Sequence, residues 1–133
     1  MLVFIDTNIL ASAALNPESV PAQAFIKAVT PPNRAVICEQ NIEELRRVFT
    51  VKLPSKIHLL ETFLHTVGSA LTIVPIPDSA STSEAEVRDS SDRPILRAAI
   101  ACGANIFVTG DKDFLEAKIN TPHIVTARTF IHM

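Results

Sequence analysis

Short apolar runs recur along the chain, each followed by a polar break and then by apolar positions spaced three or four apart. Leu2–Ile5 is the first run and reads as a buried strand. Thr7 and Asn8 are cap-type residues, and Ile9–Leu15 then predicts a short alanine-rich helix ended by Asn16-Pro17. Ser19-Val20-Pro21 starts a second helix to about Val29, with Pro21 in its first turn, before Thr30-Pro31-Pro32-Asn33 stops it. Ala35–Cys38 is a second strand. From Gln40 to about Val51 the pattern is helical, with Ile42, Leu45, Val48 and Phe49 apolar, and Pro54 ends it. Ser55 is the expected cap of the next helix, where Ile57, Leu60, Phe63, Leu64 and Val67 keep the 3.6-residue period and Gly68 closes it. Leu71–Val74 is a third strand. The polar, proline-bearing stretch from Pro75 to Asp89 reads as a long surface loop with room for a turn of helix. Asp92–Cys102 predicts a helix with Pro94 in its first turn and Gly103 at its end. Ile106–Thr109 is a fourth strand, Phe114–Lys118 a short helix, Ile124–Thr126 a fifth strand and Arg128–His132 a last helical turn.

Strands alternating with helices require crossover connections and therefore a parallel sheet. Strands this short and this uniformly apolar belong to a sheet covered by helices on both faces. No internal repeat and no inter-domain linker interrupts the pattern, so residues 1–133 are expected to form a single α/β domain.

Composition sharpens this only in places. With 47% hydrophobic and 20% charged residues the chain can build a full core, which argues against global disorder. Trp and Tyr are absent and Phe occurs seven times, so the core is mostly aliphatic. A net charge of −2 argues against gripping nucleic acid by bulk positive charge alone, although bound cations would change the local sign. Cys38 and Cys102 form no CxxC pair and have no histidine at ligand spacing; they read as two reduced thiols. Asp6 comes too early for a signal peptide, and no apolar run reaches the roughly 18 residues of a membrane span. A cytoplasmic location without membrane contact is the expectation.

The acids carry the chemistry. Ligands of open α/β sheets bind at the carboxyl ends of the strands. Asp6 directly follows the first strand, Asp111 follows the fourth, Asp92 opens the helix before the fourth, and Glu44 lies in the helix after the second. Taken singly, Asp6 and Asp92 suit helix caps and Asp111 suits turn chemistry. Taken together, they would converge at one end of the sheet if strands one and four are neighbours. Crowded carboxylates in a partly buried site repel by several kcal/mol, so such a cluster calls for a cation. An all-oxygen donor set disfavours zinc and suits Mg²⁺ or Mn²⁺, which commonly act on phosphates. Within EQNIEELRRVF, Glu44 flanks the apolar stripe, whereas Glu43 points toward solvent and Glu39 suits a cap.

The stretches IDTNIL, IEELRRVF, RDSSDRPILRAAI and IFVTGDKDF, with the closing HIVTARTFI, resemble the PIN-domain ribonucleases nearly end to end. The likeness is greatest to small prokaryotic members regarded as toxins of toxin–antitoxin pairs. It implies a three-layer α/β/α sandwich around a mostly parallel five-stranded sheet, and Mg²⁺- or Mn²⁺-dependent hydrolysis of single-stranded RNA. By the same resemblance Asp6, Glu44, Asp92 and Asp111 are the catalytic, metal-binding acids and Asp113 a further ligand. Asn8 and Thr109 match polar positions that support the cluster. Cys38 stands where many relatives carry serine, which implies a weakened polar contact. Arg46, Arg93 and Lys112, with Arg47, Lys52 and Arg88, are candidates for phosphate contacts. The resemblance implies an antitoxin as protein partner, and the apolar character of the helices leaves room for a second copy of the chain.

Three other readings share parts of this pattern. A receiver-type domain would want paired acids after strand one and an aspartate after strand three, where this chain has Val74-Pro75-Ile76-Pro77. A phosphatase of the haloacid-dehalogenase type would want a second aspartate at position 8, which is Asn8. A catalytically silent PIN-like binding module would keep the fold without the chemistry.

Overall fold

The computed structural model describes all residues, 1–133. Five strands, β1 (Leu2–Ile5), β2 (Arg34–Cys38), β3 (Leu71–Val74), β4 (Ile106–Val108) and β5 (His123–Val125), form one sheet in the order β3-β2-β1-β4-β5. Every neighbouring pair is parallel, so the sheet is wholly rather than mostly parallel. The chain winds outward from β1 in one direction, crosses back to β4, and continues in the other. That reversal places a switch point between β1 and β4, where open α/β sheets form their ligand crevices. Receiver-type domains place strand three beside strand one in a 2-1-3-4-5 order, which this sheet does not follow.

Seven helices complete the three layers: α1 (Thr7–Leu15), α2 (Val20–Val29), α3 (Glu39–Lys52), α4 (Ile57–Val67), α5 (Arg93–Ala101), α6 (Lys112–Leu115) and α7 (Ala127–Ile131). Side chains alternate across β1: Val3 and Ile5 enter one core with Leu10, Phe25, Leu45, Phe49 and Phe130, while Phe4 enters the other with Ile95, Leu96 and Phe107. The second core holds an aromatic file. Phe4 stacks on Phe107 at 5.3 Å between ring centroids, and Phe114 of α6 tilts onto Phe107 at 4.7 Å. No helix is long and apolar enough to cross a membrane.

Several boundaries differ from the sequence expectation for local reasons. Helix α1 begins at Thr7 because Asp6, with extended backbone, accepts the Thr7 N–H and caps it. Ser55 does not cap α4; it lies in a 3₁₀ turn, Pro54–Lys56, and α4 starts without a side-chain cap. Gly68 follows α4 in an ordinary helical conformation, whereas Gly103 after α5 takes the left-handed φ of 77° that glycine tolerates. Asp92 is the last residue of a 3₁₀ turn, Ser90–Asp92, and α5 proper starts at Arg93. Helix α6 starts at Lys112, two residues before the expected Phe114, because Asp111 accepts the Asp113 N–H at 2.9 Å and caps it.

The segment between β3 and α5 is not free. Both carboxylate oxygens of Glu84 accept from Arg97 of α5 at 2.9 Å, Arg97 also donates to the Pro77 carbonyl at 3.0 Å, and Val87 is buried. This clamp fixes the approach to Asp92.

Candidate active site

The parallel ladder brings the first two acids together. Ile5 pairs with Val108, so Asp6 and Thr109 leave the sheet side by side at the carboxyl ends of β1 and β4. The Asp6 N–H continues the ladder onto the Val108 carbonyl at 3.0 Å. Asp6 is only 4% exposed. One carboxylate oxygen accepts the Thr7 N–H at 2.8 Å, and the other accepts the Thr109 hydroxyl at 2.6 Å. Thr109 Oγ1 in turn accepts the Asp111 N–H at 3.0 Å, which ties the second strand-end acid to the first. Asn8 Oδ1 accepts the Gly110 N–H at 3.2 Å and closes the turn between them.

From the other side, α3 contributes Glu44. Thr7 donates its hydroxyl to Glu44 Oε2 at 2.8 Å, and Gln40 donates to Glu44 Oε1 at 3.1 Å. Behind Thr7 lies Asn41, fully buried, whose amide donates to Thr7 Oγ1 at 3.0 Å. Asn41 Oδ1 accepts both the Cys38 N–H at 2.9 Å and the Cys38 S–H at 3.2 Å. Cys38 therefore makes the polar contact that serine was expected to supply, and burial raises its thiol to about 11, which keeps it a donor. Glu43 is exposed, as its helical position predicts.

Asp6, Thr7, Asn8, Glu44, Asp92 and Asp111 line one cavity of about 340 Å³, together with Ala11, Ser12 and Val48. Four carboxylates face this space and no basic side chain does. Desolvation pushes Asp6 from 3.8 up to about 6, against its hydrogen bonds from Thr109 and Thr7 and with help from Glu44 and Asp111. Asp92 rises to about 7, first through burial and then through the charges of Asp111, Asp89, Asp6 and Glu44. The donor set is all oxygen and negative, which fits a hard divalent cation.

Residues 2–113 match the family model of the PIN domain. The chain belongs to the PIN domain family. PIN domains are nucleases and generally use divalent metals. Among solved structures, the fold is similar to that of VapBC2 from Rickettsia felis bound to a DNA fragment from their promoter. The TM-score is 0.68 and identity 20%, over 95% of this chain and 98% of that one. No curated protein matches the chain.

In this PIN domain Asp113 does not line the acidic cavity. Its carboxylate groups with Asp92 and Asp89, with one oxygen of each within 4.8 Å of the others. Arg88 holds Asp113 through two nitrogens at 2.9 and 2.6 Å. The expected phosphate contacts are likewise outside the cavity: Arg46 pairs with Glu61, Arg93 donates to the Val87 carbonyl at 3.0 Å, and Lys112 is exposed in the first turn of α6. Arg47 and Lys52 are exposed on α3.

Sequence reasoning missed Thr7, Gln40, Asn41 and Asp89. Asn41 stands three residues after Cys38 at a helix start, a spacing that marks reciprocal capping. Gln40 precedes Glu44 by one helical turn, the spacing at which side chains meet. Asp89 had only its place in RDSSD to single it out.

Proposed function

We propose that this PIN domain is a Mg²⁺- or Mn²⁺-dependent endoribonuclease that hydrolyses phosphodiester bonds of single-stranded RNA. The observation that carries this reading is the lining of the cavity: four carboxylates, two of them pushed toward neutrality, with no basic group to balance them. Asp6, Asp92 and Asp111 would hold the ion, Glu44 would share it or help to hold a second, and Asp113 is the further ligand on the Asp92 side. The ion would supply positive charge to the scissile phosphate and lower the pKa of an attacking water. Thr109 orients Asp6, and Asn8 fixes the Gly110 turn that leads to Asp111. In-line attack by water would leave 5′-phosphate and 3′-hydroxyl ends. Lys112, unpaired and adjacent to Asp111, is the best placed of the basic residues to meet the RNA backbone; Arg46 and Arg93 would first have to release their present partners.

The shared fold with VapBC2 supports a further part of the proposal, that the chain is the toxin of a toxin–antitoxin pair with an antitoxin protein as partner. A homodimer and a cytoplasmic setting belong to the same reading.

The test is cleavage of unstructured RNA by purified protein with Mg²⁺, with Mn²⁺ and with chelator. Cleavage is expected only with metal, and Asp6→Asn is expected to reduce it by at least about a hundredfold while the fold persists. Undiminished cutting by Asp6→Asn, or cutting in chelator, would overturn the assignment; an intact fold that neither cuts RNA nor binds Mg²⁺ would indicate a silent binding module.

A further inference from the structure

Glu44 and Asp92 reach the cavity from unrelated elements, α3 and the 3₁₀ turn before α5. No hydrogen bond joins their carboxylates, and their charges repel. One side chain spans the gap. The amide nitrogen of Gln40 donates to Glu44 Oε1 at 3.1 Å and to the Ser91 carbonyl at 2.7 Å. The Ser91 carbonyl belongs to the peptide that leads into Asp92. Gln40 is thus bonded at once to one acid and to the backbone that carries another.

We propose that Gln40 is a positioning residue that sets the separation of Glu44 from Asp92. This rests on the proposed reading of the four acids as one cation-binding centre. A primary amide has two N–H donors on one nitrogen, so it can serve two acceptors at once. Both acceptors here are oxygens, one on a carboxylate and one on a backbone carbonyl, so a lysine in its place would add a charge that competes with the cation, and a glutamate could not donate. The other oxygen of Glu44 is held independently by Thr7, which is braced by buried Asn41. With both oxygens of Glu44 held by neutral donors, Gln40 is the one hydrogen-bonding side chain that couples its position to the Asp92 segment. Groups that orient metal ligands from behind typically govern affinity by ten- to a hundredfold when removed.

The experiment is calorimetric titration of the full chain with Mn²⁺ alone, for wild type, Gln40→Met, Glu44→Gln and the double variant, with exposed Glu43→Gln as control. Thermal unfolding in chelator reports the fold of each. Gln40→Met is expected to weaken Mn²⁺ binding about tenfold, with a chelator midpoint near wild type, and Glu43→Gln is expected to bind as wild type does. In the Glu44→Gln background the Gln40→Met loss should shrink, because the two act through one contact. Should Gln40→Met lose its fold, Gln40→Leu carries the same expectation. Wild-type affinity in a folded Gln40→Met protein, or an undiminished loss in the Glu44→Gln background, would overturn this role and leave the nuclease reading intact. Absence of Mn²⁺ binding by wild type would overturn both.

Discussion

Asp6 is the residue on which folding and chemistry pull apart. It caps α1 and sits almost entirely out of water, yet it would have to be ionised to hold the proposed cation. Raising its pKa from 3.8 to about 6 corresponds to a cost of about 3 kcal/mol for ionising it in the cation-free fold. The sign follows from linkage: the cost is fully present above the folded value near 6 and disappears below the unfolded value of 3.8. Cation-free protein is therefore predicted to become more stable as pH falls from about 7.5 to about 5. Urea midpoints measured in chelator across that range check this, and a flat or falling trend would contradict it. Asp6→Asn removes the ionisation cost, keeps an acceptor for the Thr7 N–H, and should unfold later than wild type in chelator at neutral pH while losing cleavage. Thr109→Val takes away the hydroxyl donated at 2.6 Å, so it should push Asp6 further up and weaken Mn²⁺ binding in the same calorimetric titration.

At the scale of elements, the long segment between β3 and α5 carries Asp92 to the site at its end. Its polar, proline-bearing composition reads as a surface loop, and the pairing of Glu84 with Arg97, the Arg97 bond to the Pro77 carbonyl and the burial of Val87 show otherwise. Glu84 is held at about 2 by Arg97, then by Ser81, so its stabilising contribution is complete above 4.5 and is lost as pH falls toward 2. Glu84→Gln should lower the thermal midpoint at neutral pH by several degrees, speed amide exchange across residues 77–92, and weaken cation binding through Asp92. Unchanged exchange in that segment would show that other contacts hold it. The pairing spans 13 residues and two elements, so neither helical period nor strand alternation could announce it. Helix α3 was easier. Its period separated Glu44 from Glu43 correctly, because burial of Leu45 and Phe49 fixes which way the helix turns.

For the whole molecule, the fold was legible because the sequence alternates short apolar runs with helical periods, and parallel topology follows from that alternation. The convergence of Asp6 and Asp111 was legible only conditionally. It required β1 and β4 to be neighbours, and the order β3-β2-β1-β4-β5 meets that condition. The buried chain from Cys38 through Asn41 and Thr7 to Glu44 was not legible, since its members look like ordinary caps and turns until tertiary packing removes water from them. The same packing separates Asp113 from the cavity and gives it Arg88 and the Asp89–Asp92 side instead. Under the proposed function, a hard divalent ion makes the crowded carboxylates at the β1–β4 switch point tolerable. Anomalous diffraction from crystals soaked in Mn²⁺ tests it most directly. The account predicts a peak within coordination distance of Asp6, Asp92 and Asp111 that is absent from Asp6→Asn crystals; a fully soaked wild-type crystal with no peak in that cavity would contradict it.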